Sequence, residues 1–120
     1  IPLMMLSAVS PLFLSSSQRP ALPPLELIEA AFTRRLPGEA AMPARNEEQS
    51  VSVAEAIVAM TMATARQVGE EAELGSITVG KLADLVLLDR NILEVEAATI
   101  HQTPVRMTLV DGDVVHELTP

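Results

Sequence analysis

The reading of this chain turns on one stretch, Gly75-Ser76-Ile77-Thr78-Val79-Gly80-Lys81-Leu82-Ala83-Asp84-Leu85-Val86-Leu87-Leu88-Asp89. It holds two short apolar runs, residues 77–79 and 83–88, parted by Gly80-Lys81 and closed by Asp89-Arg90-Asn91. Aliphatic and β-branched residues between turn formers predict a strand over each run. Gly75 and Gly80 flank the first run and open no helix, so they do not form a phosphate-cradling loop. They suit turns that need a positive φ or a close backbone approach. Asp84 and Asp89 are an odd number of residues apart, which puts them on opposite faces of an extended chain and argues against an acid/base pair.

Downstream, residues 91–103 form a connection with one helical turn near residues 96–100. Residues 105–110 and 113–117 then flank Asp111-Gly112, a strong short-range hairpin signal. Upstream, across the acidic link Glu70-Glu71-Ala72-Glu73, the period changes to that of helices. Ser52 and Glu55 form a capping box, S-x-x-E. Val53, Ile57, Met60 and Ala63 or Thr64 then share a face, and Gly69 supplies a stop. A second helix is expected over residues 24–35, with Pro24 in its first turn and Leu25, Ile28, Ala31 and Phe32 at helical spacing. Glu26 and Glu29 early and Arg34 and Arg35 late would complement its dipole, and Pro37-Gly38 would end it. Residues 36–50 read as a polar loop, and residues 15–24 as a linker marked by Pro20, Pro23 and Pro24.

Residues 1–14, IPLMMLSAVSPLFL, carry no charge. They are too few to span a bilayer, which takes about 20 residues. No basic segment precedes them, as a secretory leader would require. Pro2 and Pro11 argue against a helix, so a short buried strand over residues 3–6 is expected. With helices first and strands last, the fold class is α+β.

Composition narrows function by exclusion. The chain has 120 residues, 48% of them hydrophobic, and eight basic against sixteen acidic side chains, for a net charge of −8. That apolar fraction can offset chain entropy and is too high for a disordered tail. The acidity disfavours nucleic acid, whose phosphates attract a Lys/Arg stripe. Absence of cysteine removes disulfides, thiolate metal sites and a cysteine nucleophile, and is compatible with the cytoplasm as the default compartment. Phe13 and Phe32 are the only aromatic residues, which leaves no cation cage or base-stacking platform.

Candidate chemistry is sparse. His101 and His116 lie fifteen residues apart, without the H-x-H or H-E-x-x-H spacing that would place two imidazoles on one metal. Each reads as solvent-facing or locally hydrogen-bonded. Ser15, Ser16 and Ser17 lack a nucleophile-elbow pattern. Glu47-Glu48 and the acidic residues of 70–73 read as solvated charge. Arg34 or Arg35 could approach a substrate pocket, though surface or ion-pair roles fit them better.

The string G-x-I-x-x-G-K-x-A-D-L-V-x-x-D resembles the segment that closes metal-dependent hydrolases of the amidohydrolase superfamily. There the chain leaves a (β/α)8 barrel and re-enters a small β-sandwich. The capped helix with Ala56, Thr61, Ala65 and Gly69 is similar to that family's last barrel-side helix. Val105, Thr108, Val110, Gly112, Val114 and Val115 resemble its terminal hairpin. Residues 89–95, followed by Ile100, His101 and Val105, look most like the amidohydrolase-3 branch, which includes N-substituted formamide deformylase-like proteins.

The resemblance implies a C-terminal part of such an enzyme, acting on amide-type C–N bonds with one or two divalent metals, zinc or similar. Residues 1–69 would be the remnant of the barrel end, mostly helical, and residues 70–120 part of the antiparallel sandwich. The branch has a metal-binding or basic Asp in a Ser-Asp-x-Pro segment. Its counterpart here, Ser7-Ala8-Val9-Ser10-Pro11, places Ala8 at that position, and alanine can neither hold a metal nor accept a proton. The family's other ligands would precede residue 1. The expectation is therefore no catalytic, cofactor-binding or metal-binding residue in this chain, and a structural role. A few strands leave an open edge and an uncovered apolar face. Self-association, as in a swapped dimer, or a preceding segment of the same enzyme is expected to cover them; neither nucleic acid nor a membrane is an expected partner. Two rival readings are a stand-alone degenerate module that mediates oligomerisation, and a free-standing hydrolase built on His101, His116 and an Asp.

Overall fold

A computed structural model describes residues 4–7, 23–39 and 41–119. The order along the chain is β1 (Met4–Ser7), α1 (Pro24–Thr33), α2 (Val53–Met60), α3 (Met62–Gln67), β2 (Leu85–Leu88), β3 (Val105–Val110) and β4 (Asp113–Glu117). Short 3-10 turns lie at Glu47–Gln49 and Ala97–Gln102. The chain is a mixed α+β structure. The four strands among the described residues make one sheet in sequential order, each antiparallel to its neighbour.

The strand expected over residues 3–6 forms one residue later and pairs with β2 from Met4↔Leu88 to Ser7↔Leu85. The run at 83–88 becomes β2, and the expected hairpin forms with the expected bounds. Asp111 and Gly112 both take positive φ, 50° and 84°. That is the geometry of a tight turn whose twist matches the flanking strands. The run at 77–79 does not become a strand. Val79 and Gly80 instead form a turn closed by the Lys81 N–H on Thr78 O at 3.1 Å. Ile77 and Val79 consequently stand exposed. The four residues 76–79 lie between two glycines at positive φ, Gly75 and Gly80, and the chain bends at both ends of the run before it can pair as a strand.

Helix α1 ends two residues early. Arg34 adopts the left-handed conformation and its N–H returns to Ala30 O. Arg34 and Arg35 thus lie outside the helix rather than in its last turn. Their Nε groups tie down the following loop, Arg34 to Arg45 O at 2.9 Å and Arg35 to Met42 O at 2.7 Å.

The second helix begins with the expected box. Glu55 N–H donates to Ser52 Oγ at 3.0 Å, and Ser52 N–H to the Glu55 carboxylate at 3.1 Å. It does not run unbroken to Gly69. Thr61 leaves helical geometry at φ −119°, ψ −90° and divides α2 from α3. Its hydroxyl donates to Ile57 O, and the Thr64 hydroxyl to Ala59 O, both at 2.7 Å. Two β-branched hydroxyls compete with backbone amides for helix carbonyls, which breaks the ladder there. Helix α3 closes after Gln67, where Gly69 N–H bonds Arg66 O and Glu70 N–H bonds Ala65 O.

The core draws on both sides of residue 70. Ile28, Ala56, Leu88, Ile92 and Ile100 are buried together, with Leu25, Ile57, Met60, Val86 and Val105 packed around them. Register sets the sheet's two faces. Val86 and Leu88, opposite Thr108 and Val105, face α1 and α2. Alternation puts Leu85, Leu87, Met107 and Leu109 on the other face, where all four are half-buried.

Candidate functional site

A buried carboxylate and an imidazole meet where α1 packs on the turn before β3. Glu29 is buried in α1, only 2% exposed. Its Oε1 accepts two hydrogen bonds from one residue, the His101 backbone N–H at 2.8 Å and His101 Nδ1 at 2.7 Å. A carboxylate only accepts, so Nδ1 carries the proton and Nε2 is left as the open ring nitrogen. The sequence reading misses this contact. It places Glu29 at the helix dipole and His101 in solvent or in a local bond, whereas the two lie 72 residues apart and hold each other. One signal was available: Glu29 follows Ile28 and stands four residues after Leu25 and three before Phe32, within the apolar stripe. It is Phe32 that turns outward, at 43% exposure.

His101 lines two cavities. One, about 350 Å3, is apolar and lies between α1, α2 and the sheet, with Leu25, Ile28, Met60 and Leu88 in its wall. The other, about 240 Å3, is more polar and includes Glu29, Arg35 and Gln102.

The remaining candidates serve the fold. Asp84 accepts the Asp111 N–H at 2.7 Å and so braces the hairpin turn. Asp89 pairs with Arg106, whose Nε and Nη2 lie 2.9 and 2.7 Å from Oδ1. His116 Nε2 is 3.3 Å from Val105 O across the hairpin. Gly75 needs both properties expected of it. Its φ is +100°, and a Cβ there would lie 2.8 Å from Ala65 Cβ. Gly80 has the positive φ but open space around it. The acidic residues of 47–48 and 70–73 are exposed. Residues 8–11, with the Ala8 position, and 15–17 lie outside the described residues.

Arg90 is a further working residue that sequence reasoning did not single out. Its Nη2 donates to Thr99 O and, at 2.8 Å, to Oγ1 of the buried Thr103. It thereby folds the connection back onto β2. Nothing in residue type or spacing signals a bond that depends on the path of residues 91–103.

Chemically, Glu29 orients an imidazole. Hydrolysis requires in addition an activated water or hydroxyl and a group to receive the developing negative charge. Among the described residues no three His, Asp or Glu side chains gather as a metal ion needs. His101, His116 and an Asp are not brought into one such group, so the free-standing hydrolase built on them is not supported. The described residues thus form no such group for the divalent metal that the resemblance implies.

Comparison with known proteins gives a consistent picture. The model of the amidohydrolase family matches residues 22–116. YtcJ of Bacillus subtilis (strain 168), an amidohydrolase by assignment, is 30% identical over 94 residues, 78% of this chain and 18% of its own length. An amidohydrolase structure from Thermotoga maritima MSB8 superposes with a TM-score of 0.50 at 24% identity, over 59% of this chain and 17% of its own. The crystal structure of an uncharacterized protein gives 0.52 at 32% identity, over 60% of this chain and 18% of that one. The chain thus spans less than a fifth of the length of these relatives.

Proposed function

The chain belongs to the amidohydrolase family, and from that premise we propose that it is the C-terminal portion of a hydrolase acting on an amide-type carbon–nitrogen bond. In this reading residues 1–69 are the end of a (β/α)8 barrel and residues 70–120 are part of a β-sandwich. The parent enzyme activates water with divalent metal held by residues outside this chain. The chain itself supplies structure. The observation that carries this reading is the family match over residues 22–116 by a chain that spans 18% of YtcJ. The internal bonding of the candidate groups supports the structural role: Asp84, Asp89, His101 and His116 each have a partner within the fold. Placement beside the N-substituted formamide deformylase-like proteins rests on residues 89–95 and on Ile100, His101 and Val105.

Metal content tests the reading. The purified 120-residue polypeptide, dialysed without chelator and shown to be folded by circular dichroism, is expected to carry almost no zinc, iron or manganese. About one metal per chain would overturn it and make His101 and His116 the residues to substitute.

A second reading, a stand-alone module that associates with its own kind, is favoured by the apolar face made by Leu85, Leu87, Met107 and Leu109. The two differ in what covers that face, a second copy or another segment of the same enzyme.

A further inference from the structure

Three polar groups without a protein partner among the described residues meet at the 240 Å3 cavity, and we infer that this cavity binds a small zwitterion of the α-amino acid class. It opens where the C-terminal half of α1 meets the turn Ala97–Gln102. Glu29, Arg35, Gln102 and His101 line it together with Leu36 and Ala98.

Glu29 supplies the anionic end. Both of its hydrogen bonds fall on Oε1, so Oε2 has none among the described residues. Among the described residues no buried side-chain oxygen lacks a partner, which places Oε2 at a surface, and the cavity is a surface that Glu29 lines. A carboxylate oxygen with so little water around it draws an N–H donor, an ammonium most strongly. His101 leaves this oxygen free because both of its N–H groups are already on the other one.

Arg35 supplies the cationic end. Its Nε–H bonds Met42 O at 2.7 Å, which fixes the guanidinium against the loop. Both Nη groups are left as a donor fork, the geometry that suits a carboxylate. Gln102 adds a carboxamide with no partner among the described residues. A lone cation or a lone anion satisfies one end of this cavity and is repelled by the other. A molecule with an ammonium and a carboxylate a few bonds apart satisfies both. Leu36 and Ala98 give a short aliphatic side chain an apolar wall. The inference goes beyond the hydrolytic reading and stands without it.

The test is titration calorimetry of the intact protein at pH 7 with L-alanine, and with methylammonium and acetate as single-charge probes. Alanine is expected to bind with a Kd on the order of millimolar or tighter, at least about tenfold below that of either probe. Glu29→Gln keeps an oxygen for His101 and removes the charge, and Arg35→Gln removes the fork at a half-exposed position. Each folded variant is expected to weaken alanine at least about tenfold. Should Glu29→Gln fail to fold, Arg35→Gln and the single-charge comparison decide. Alanine binding no tighter than methylammonium or acetate, binding unchanged in a folded variant, or no detectable heat with alanine would overturn the inference.

Discussion

At the scale of single residues, Gly75 shows how tightly one position in the family segment is constrained. Its φ of +100° is one that L side chains rarely adopt, and its hydrogen side faces Ala65 Cβ and Met62 Cα at 2.8 and 3.0 Å from an added Cβ. Neither neighbour is the flexible end of a side chain, so the loop or α3 must move. Gly75→Ala is expected to destabilise the fold by about 3 kcal/mol, combining backbone strain with overpacking. Chemical denaturation of the two proteins measures it, and a loss under about 1 kcal/mol would show that the loop yields. The sequence suffices to say that Gly75 requires a positive φ or a close approach. That it requires both, and that α3 is what comes close, depends on where the helix packs. Glu29 is the contrasting case. Its residue type and its place ahead of Arg34 and Arg35 in the expected helix over residues 24–35 suit the dipole, and only His101, brought from 72 positions away, offers the donors that let a carboxylate be buried.

At the scale of elements, local chemistry is the most legible part of the chain. The capping box, the Asp111-Gly112 hairpin and the stop at Gly69 each close within a few residues, so their partners are visible in the sequence itself. Glu55 shows the electrostatic consequence. The Ser52 backbone N–H, and then the Ser52 side chain, hold its carboxyl below the ordinary glutamate range. A carboxyl whose pKa is lower in the folded state adds stability above its unfolded value and loses it as pH falls through the folded one. The stability advantage over Glu55→Gln is therefore expected to be present at neutral pH and to vanish on acidification from about pH 5 downward. Thermal melting of both proteins across that range checks it, and a difference that stays constant with pH would refute it. The failures at this scale come from competition. Thr61 and Thr64 look like tolerable helix residues one at a time. Together their hydroxyls take the carbonyls of Ile57 and Ala59 and split one expected helix into α2 and α3.

At the scale of the whole molecule, the sheet is the element with unfinished business. Its inner face packs on α1 and α2 through Val86, Leu88 and Val105, while Leu85, Leu87, Met107 and Leu109 make the outer face apolar as well. β4 adds Val114 and Val115, 51% and 61% exposed, and lies last in the strand order. A strand with apolar residues on both faces and an open row of backbone groups invites pairing. The 120-residue polypeptide is accordingly expected to self-associate at micromolar concentration in sedimentation velocity. A mainly monomeric species would count against a second copy as the cover. What the sequence determined by itself is the material whose causes lie within a few residues: the α+β order, the capped helix, the hairpin, and the segment from Gly75 to Asp89 that carries the family resemblance. What only the tertiary structure decided are the contacts made by chain distant in sequence. These are the burial of Glu29 on His101, the grip of Arg90 on Thr99 and Thr103, the close approach of α3 to Gly75, and the turn of residues 77–79 away from a strand. Local hydrogen bonds and φ preferences act over a few residues and are written in residue order, whereas burial depends on which surfaces the finished packing brings together.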